Sequence, residues 1–557
     1  MSNLGFQTVL RLLRDQPRVL CERAFWESRP SEGRPGALAL APAEHRRRAV
    51  SYESGSSLSE FDVIAFSVSF EDDYLNVPRM LDASGVSLVA SDRRDEDPIV
   101  VMGGVCAHIN PEPVAPLLDA VLVGEAQAIV PGLIESLLST TGRPRPERLR
   151  DLTTVPGAYV PSMYELRRDA EGRGIGFSAA DGAPFPVRPA VGPPELARSV
   201  VLSDGAHFRD MFLVEASRGC SRGCRFCAAG SVLGPRRSHS ARAIHEVLEE
   251  AARAASTPGQ RRSNGERGET RPEGESRGAG PALRAGLVTA ALLDHPEAEA
   301  ILEGIARSGL ELNVSSIRAD GLSEKAARLL VRCGVRSATL APETGTEDLR
   351  RIAGKPLRDS TLLDAVVALA RAGMGGLKLY FMVGLPGERR TDIEAIPALA
   401  RRVREAFFAE RGPAAVARGD RRVSVSVSAF VPKPRTPFQW APMASERYIR
   451  DATSAIRRGL YASPAIELAC TGPREARREG LISRGGRELA GALIEVALRG
   501  TPWRAAVRRC GVDEHAELDS GRPREEVFPW EAVLVGPSRD ALLASLDEAS
   551  RLMAARD

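Results

Sequence analysis

The chain has 557 residues, 43% hydrophobic and 27% charged, which is ample for a large core and suggests three or four domains. Lys+Arg total 76 against Asp+Glu 73, a formal charge of +3, so whole-molecule electrostatics give no ground for nucleic-acid or membrane binding. Only four of those cations are lysine (Lys325, Lys355, Lys378 and Lys433), and arginine scattered in this way reflects composition rather than a binding face.

The first twenty residues mix charges into their apolar positions and carry no cleavage-type signal. No later stretch approaches the ~20 apolar residues of a membrane span. The expectation is a cytoplasmic protein with no membrane partner, whose eight cysteines stay reduced and serve metals or catalysis.

Residues 5–16 have apolar positions at helical spacing, and RVLCERAF (18–25) reads as a short strand. The runs DVIAFSVSF (62–70), PIVVMGG (98–104) and AVLVGEA (120–126) read as buried parallel strands, with NVPRMLDASG and PVAPLLDA as helices between them. That alternation predicts a doubly wound parallel sheet over 1–164. Gly103, Gly104 and Gly124 fall just past strand ends, where such sheets bind ligands and where tight turns also need glycine. Residues 165–207 read as a Gly-, Pro- and Arg-rich linker with some local strand structure.

A second α/β series fills 208–440. Its six strands are 211–217, 285–290, 310–316, 336–343, 376–384 and 422–430, with helical segments between them. Six repeats predict a partial parallel (β/α)6 barrel with its chemistry at the C-terminal strand ends. Residues 256–281 lack apolar periodicity and read as a disordered insertion. Residues 441–557 read as a mainly helical C-terminal region without assignable chemistry.

The strongest chemical signal is SRGCSRGCRFCAAG, which places Cys220, Cys224 and Cys227 in C-x3-C-x2-C spacing directly after the first barrel strand. Structural zinc sites close with four protein ligands, whereas a four-iron cluster held by three cysteines keeps one iron open. A zinc site completed by His239 or His245 is the alternative, although these lie twelve and eighteen residues beyond Cys227.

This motif, its place after the first of six barrel strands and the aromatic Phe226 before its last cysteine resemble the radical S-adenosylmethionine (SAM) superfamily. The resemblance implies a [4Fe-4S] cluster on Cys220, Cys224 and Cys227, with SAM on the open iron and cleaved to a 5′-deoxyadenosyl radical. It also implies an electron donor of the flavodoxin or ferredoxin kind. By the same resemblance Ala290 ends the strand whose backbone binds the SAM amino group. Ser316, Arg318 and Glu343 stand where members contact the SAM ribose and carboxylate, and Val383-Gly384 where they contact adenine. Acid–base residues are not identifiable.

VMGGVCAHINPEPVAPLLDAVLVGEAQAIVPGLI is similar to the cobalamin-binding-type domain that precedes some radical SAM barrels, through Gly103, Gly104, His108, Pro111, Asp119, Gly124 and Glu125. No D-x-H-x2-G sequence supplies a cobalt-ligating histidine, so cobalamin enters only as a further candidate cofactor. LLRDQPRVLCERAF, APETGTEDLRRIAGKP, FVPKPRTPFQW and FPWEAV extend the likeness to an uncharacterised bacterial radical SAM family. Only Cys21 and Cys106 precede the barrel, which excludes the second three-cysteine cluster of methylthiotransferases.

The leading expectation is a radical SAM enzyme that transfers a methyl or other group to an unidentified substrate, RNA and protein among the candidates. Cobalamin-independent hydrogen abstraction with rearrangement, and a non-catalytic RNA- or ribosome-binding protein with a structural cluster, are the alternatives.

Overall fold

The computed structural model describes residues 3–26, 49–202, 211–256, 283–411, 423–461, 463 and 465–556. A helix, Leu4–Arg14, opens the chain, capped by the Asn3 side chain accepting from the Phe6 amide at 2.9 Å. Strands β1 (Val63–Ser67), β2 (Ile99–Gly103) and β3 (Ala120–Leu122) pair in parallel, and β4 (Ala158–Tyr159) adds antiparallel to β3. Strand order follows the chain. Ile99, Val100, Val101 and Met102 are at most 1% exposed, because helices cover both faces and a continuous apolar run is then required.

Two local expectations fail here. Among the described residues RVLCERAF forms no ladder: Leu20 is exposed, and the Arg23 carbonyl and guanidinium turn instead to the Tyr52 amide and the Glu53 carboxylate. PVAPLLDA is not an α-helix but the tighter turn Glu112–Leu117, since Pro113 and Pro116 lack the amides an α-helix needs.

The segment after 164 contains the expected local strand structure and is packed against its neighbours. It forms a hairpin of β5 (Tyr164–Arg168) and β6 (Gly174–Ala179). Ala190 then docks on the first sheet, donating to the Val123 carbonyl at 2.9 Å and accepting from the Glu125 amide at 2.8 Å. Gly124, with φ +135°, permits this, since a Cβ there would meet the Ala190 carbonyl at 2.3 Å. Val187 bridges to Val533 near the other end of the chain.

All six expected barrel strands form. They are β7 (Met211–Glu215), then, after the short antiparallel pair β8 (Ser217–Arg218) and β9 (Arg237–Ser238), β10 (Arg284–Val288), β11 (Glu311–Asn313), β12 (Ser337–Glu343), β13 (Gly376–Val383) and β14 (Val423–Ala429). A seventh, β15 (Ile466–Cys470), extends the sheet from within the otherwise mainly helical C-terminal region. The ladders run β11-β10-β7 and β12-β13-β14-β15, all parallel, joined by the Ile317–Leu340 bridge. No ladder joins β15 to β7 among the described residues, so the barrel is open. The expected insertion at 256–281 lies outside the described residues, apart from Ser256 at the end of the helix Ala241–Ser256. Among the described residues no helix is long and apolar enough to cross a membrane.

Candidate functional site

The cysteine loop leaves the C-terminal end of β7 and is pinched at its base by the β8–β9 pair, which pairs Ser217 with Ser238 and Arg218 with Arg237. Gly219 sits at φ +81° with its Cα against the far side of the loop; a Cβ there would meet the Gly234 carbonyl at 2.4 Å, so only glycine closes the turn. The Cys220 amide donates to that carbonyl at 3.2 Å, and the Cys227 amide turns back to the Cys224 carbonyl at 3.2 Å. On the opposite side Gly354, at φ +72°, presses its backbone onto the Gly223 carbonyl. The Arg225 amide reaches the Ala353 carbonyl at 2.9 Å, so two backbone segments cradle the three thiols.

The thiols lie within one another's electrostatic reach. Burial pushes the Cys224 thiol up, opposed by Lys355 and Arg318 and reinforced by Cys227 and Glu343. Burial likewise raises Cys227, opposed by the amides of Ala229 and Gly230 and reinforced by Cys220 and Glu343. Among the described residues no three His, Cys, Asp or Glu side chains are grouped to hold a metal ion. His239 faces Glu215 at 3.8 Å and the His245 ring bonds the Ile301 carbonyl at 3.1 Å, so neither closes a zinc site. Three thiols on one glycine-cradled loop fit the three-cysteine donor set of a four-iron cluster.

Charged pairs ring the loop. Arg222 grips Asp294 through two bonds of 2.8 and 2.6 Å, and Arg318 grips Asp320 at 3.0 and 2.8 Å. Glu343 bonds Lys355 at 2.7 Å. Glu343 is one of two non-glycine residues with positive φ among the described residues, at +70°, where β12 slips register against β13. Such backbone strain concentrates at functional sites.

A cavity of ≈3370 Å³ runs from beside the N-terminal helix and the outer edge of the first sheet, at Leu13, Phe61 and Leu137, to the C-terminal strand ends, where Ser67, Gly104 and Glu125 line it on one side and Arg218, Ala290 and Asn313 on the other. It exceeds the ~300–1,000 Å³ of ordinary small-molecule sites. One ion network crosses it: Arg218 bonds both Glu215 and Glu125, and Arg237 also reaches Glu125.

The structure thus gathers Cys220, Cys224, Cys227, Arg318 and Glu343 around one loop. Phe226 packs with Met382 of β13 against Leu349, Ile352, Phe430 and Phe438. Val383 is fully buried, and Gly384, at φ +85°, donates its amide to Glu388 at 2.6 Å. Ala290 lines the cavity rather than the loop, and Ser316 is half-buried beside the Ile317 bridge. His108 lines the cavity with its Nδ1 3.2 Å from the Gly104 carbonyl. Asp119, part of the sequence likeness, is instead a buried hub for Arg93 and Arg145. Sequence reasoning missed Lys355 and the ties of Arg225; the rarity of lysine was the available signal for the first, and the second had none.

Residues 5–161 match the family model described as "Radical SAM proteins, N-terminal". An uncharacterised protein of Methanocaldococcus jannaschii is 25% identical over 389 residues, 70% of each chain. One of Methanopyrus kandleri is 31% identical over 180 residues, 31% of each. The radical SAM methyltransferase TsrM of Kitasatospora setae, solved with cobalamin and a [4Fe-4S] cluster, aligns over 88% of each chain at 13% identity and a TM-score of 0.40. The cobalamin-dependent SAM radical enzyme OxsB, solved with aqua-cobalamin and SAM, aligns over 61% of this chain and 43% of its own, less than half its length, at 15% identity and a TM-score of 0.36. The resemblance to radical SAM enzymes that the sequence carries is borne out by the family match.

Proposed function

We propose that this radical SAM enzyme holds a [4Fe-4S] cluster on Cys220, Cys224 and Cys227, binds SAM at the iron those thiolates leave open, and cleaves it reductively for methyl or other group transfer to an unidentified substrate. The observation that carries this reading is the thiol loop: three coupled cysteines at the C-terminal end of β7, cradled by glycines on two sides. When bound, the cluster and SAM together supply the 5′-deoxyadenosyl radical; the protein supplies position and shielding.

The chain's own residues divide that work. The aromatic and aliphatic packing around Phe226 keeps water from one side of the loop. Arg318 and Glu343 present charge at its other side, suited to the ribose and carboxylate of SAM. The Gly384 amide, held by Glu388, fixes the end of β13 for adenine, and the exposed Ala290 carbonyl is available to the amino group. The interdomain cavity has the size and strand-end placement for a group as large as cobalamin. The electron would come from a flavodoxin- or ferredoxin-like donor, and RNA and protein are among the candidate substrates.

Anaerobic reconstitution with iron and sulfide tests the reading. The expected product, with dithionite and SAM, is 5′-deoxyadenosine; folded protein that yields neither cluster nor product refutes it. Visible absorbance after incubation with cobalamin decides whether the cavity takes that group.

A further inference from the structure

We infer that Lys355 is the cation that balances the thiolate loop and thereby sets how readily a cluster held there accepts an electron. The inference rests on the proposed function, since it concerns the same cysteines.

Lysine is nearly absent from this chain: 72 of its 76 cationic residues are arginine. A buried position that keeps lysine against such a bias is one where a compact three-donor ammonium fits and a planar five-donor fork does not. Lys325 is half-exposed between Glu299 and Glu303, and Lys378 lies over the Tyr380 ring. Lys433 joins Glu479 and Ser483 of the C-terminal region. Lys355, only 11% exposed, is the lysine whose charge acts on the Cys224 thiol.

Its position is fixed through the residues before it. The Arg225 guanidinium donates to the carbonyls of Arg351 at 2.9 Å and Ile352 at 2.8 Å, and the Arg225 amide to that of Ala353 at 2.9 Å. Gly354 then lies against Gly223 so closely that a Cβ would meet its carbonyl at 2.4 Å. Residues 351–354 are therefore zipped to the segment that carries Cys224, and Lys355 follows directly.

The other cations near the loop are already committed. Arg222 grips Asp294 and also reaches Asp320 at 3.4 Å, Arg318 grips Asp320 while acting on the Cys224 thiol more weakly than Lys355 does, and Arg225 is spent on carbonyls and Glu548. Among the described residues Lys355 has one side-chain partner, Glu343 Oε1 at 2.7 Å. Adding an electron to a thiolate-ligated cluster adds negative charge to a partly desolvated site, which a nearby cation favours. Lys355 and Glu343 nearly cancel at long range but not at the loop. Without Lys355, Glu343 would stand uncompensated beside Cys224 and Cys227, whose thiols both feel its charge.

The test is a dithionite titration of the reconstituted full-length protein without SAM, followed by electron paramagnetic resonance, in which dithionite supplies the single electron. K355M is expected to keep its iron and sulfide but to reduce about tenfold less favourably, a shift of about 59 mV for a one-electron couple. E343Q should shift the opposite way, and the K355M/E343Q pair should return towards wild type. A fully loaded K355M at the wild-type potential overturns the inference. So does a double variant as displaced as K355M, since that marks a distorted loop rather than a charge effect. If K355M does not hold the cluster, E343Q alone decides: an upward shift supports the assignment and no shift overturns it. Wild-type protein that forms no cluster overturns the proposed function itself, and with it the inference, a result distinct from all the others.

Discussion

The guanidinium of Arg225 lies 2.7 Å from the carboxylate of Glu548, which ties the residue between Cys224 and Cys227 to the C-terminal helix Arg539–Ala554. The same guanidinium also reaches the Ser545 carbonyl and hydroxyl at 2.9 and 3.0 Å. Arg225→Ala should therefore destabilise the fold by about 3 kcal/mol, because it strips donors from buried carbonyls. Glu548→Ala should cost only about 0.5 kcal/mol, since that carboxylate is 59% exposed. Urea unfolding of the two variants measures the contrast.

Cys224→Ala should abolish iron and sulfide binding while leaving the far-ultraviolet circular dichroism of the protein unchanged. The thiol is half-buried and its backbone contacts do not involve the side chain. Iron content equal to wild type in this variant would refute the ligand assignment.

Gly354→Ala and Gly85→Ala separate backbone strain from contact. Both glycines have φ near +70°, +72° and +71°, but a Cβ at 85 meets nothing within 4 Å while one at 354 strikes the cysteine loop. Gly85→Ala should cost about 1 kcal/mol from the left-handed backbone alone. Gly354→Ala should cost more and lower the iron bound per chain after reconstitution. Equal iron content in the two would show that the loop yields without consequence.

Burial pushes the Glu388 carboxyl up to about 7, opposed by the Gly384 amide and the Tyr448 hydroxyl, from an ordinary value of 4.5. A folded-state value above the unfolded one contributes stability below about pH 4.5 that is lost as pH rises through about 7. Glu388→Gln keeps an acceptor for both donors and removes the titration. Melting temperatures across this window should fall less steeply in the variant, and parallel curves would contradict the burial argument.

Asp119 Oδ2 accepts from Arg93 at 2.8 Å, Arg145 at 2.6 Å and the Val100 amide at 2.7 Å, all inside the N-terminal sheet region. Asp119→Asn leaves two buried guanidinium groups without their counter-charge and should cost about 3–5 kcal/mol by urea unfolding. The folded fraction should still bind iron normally.

Much of this architecture is legible in the sequence because it rests on local pattern. The run Ile99–Met102 is continuous and apolar, as a strand covered on both faces must be, and the three cysteines declare themselves by spacing. What escapes the pattern is set by distant contacts. Ile466–Cys470 alternates buried and partly exposed residues among helices, and only its pairing with β14 makes it a strand. RVLCERAF has strand-like composition but no strand with which to pair among the described residues. Lys355 and Glu548 reach the cysteine loop from far along the chain, where no spacing rule connects them to Cys224. Asp119, one of the residues that carry the likeness to a cobalamin-binding-type domain, works as an ion-pair hub that no local pattern announces.

The seam formed by Ala190 on Gly124 and by Val187 on Val533 has a bearing on how the protein is made. The strip between the two α/β halves is anchored at one end by the first sheet and at the other by Val533, far downstream in the sequence. Its native pairing cannot form before Val533 has been synthesised, and such long-range closures are slow. A fragment ending at the linker would leave this strip without its second anchor, so the intact polypeptide, rather than an isolated N-terminal half, is the unit to express.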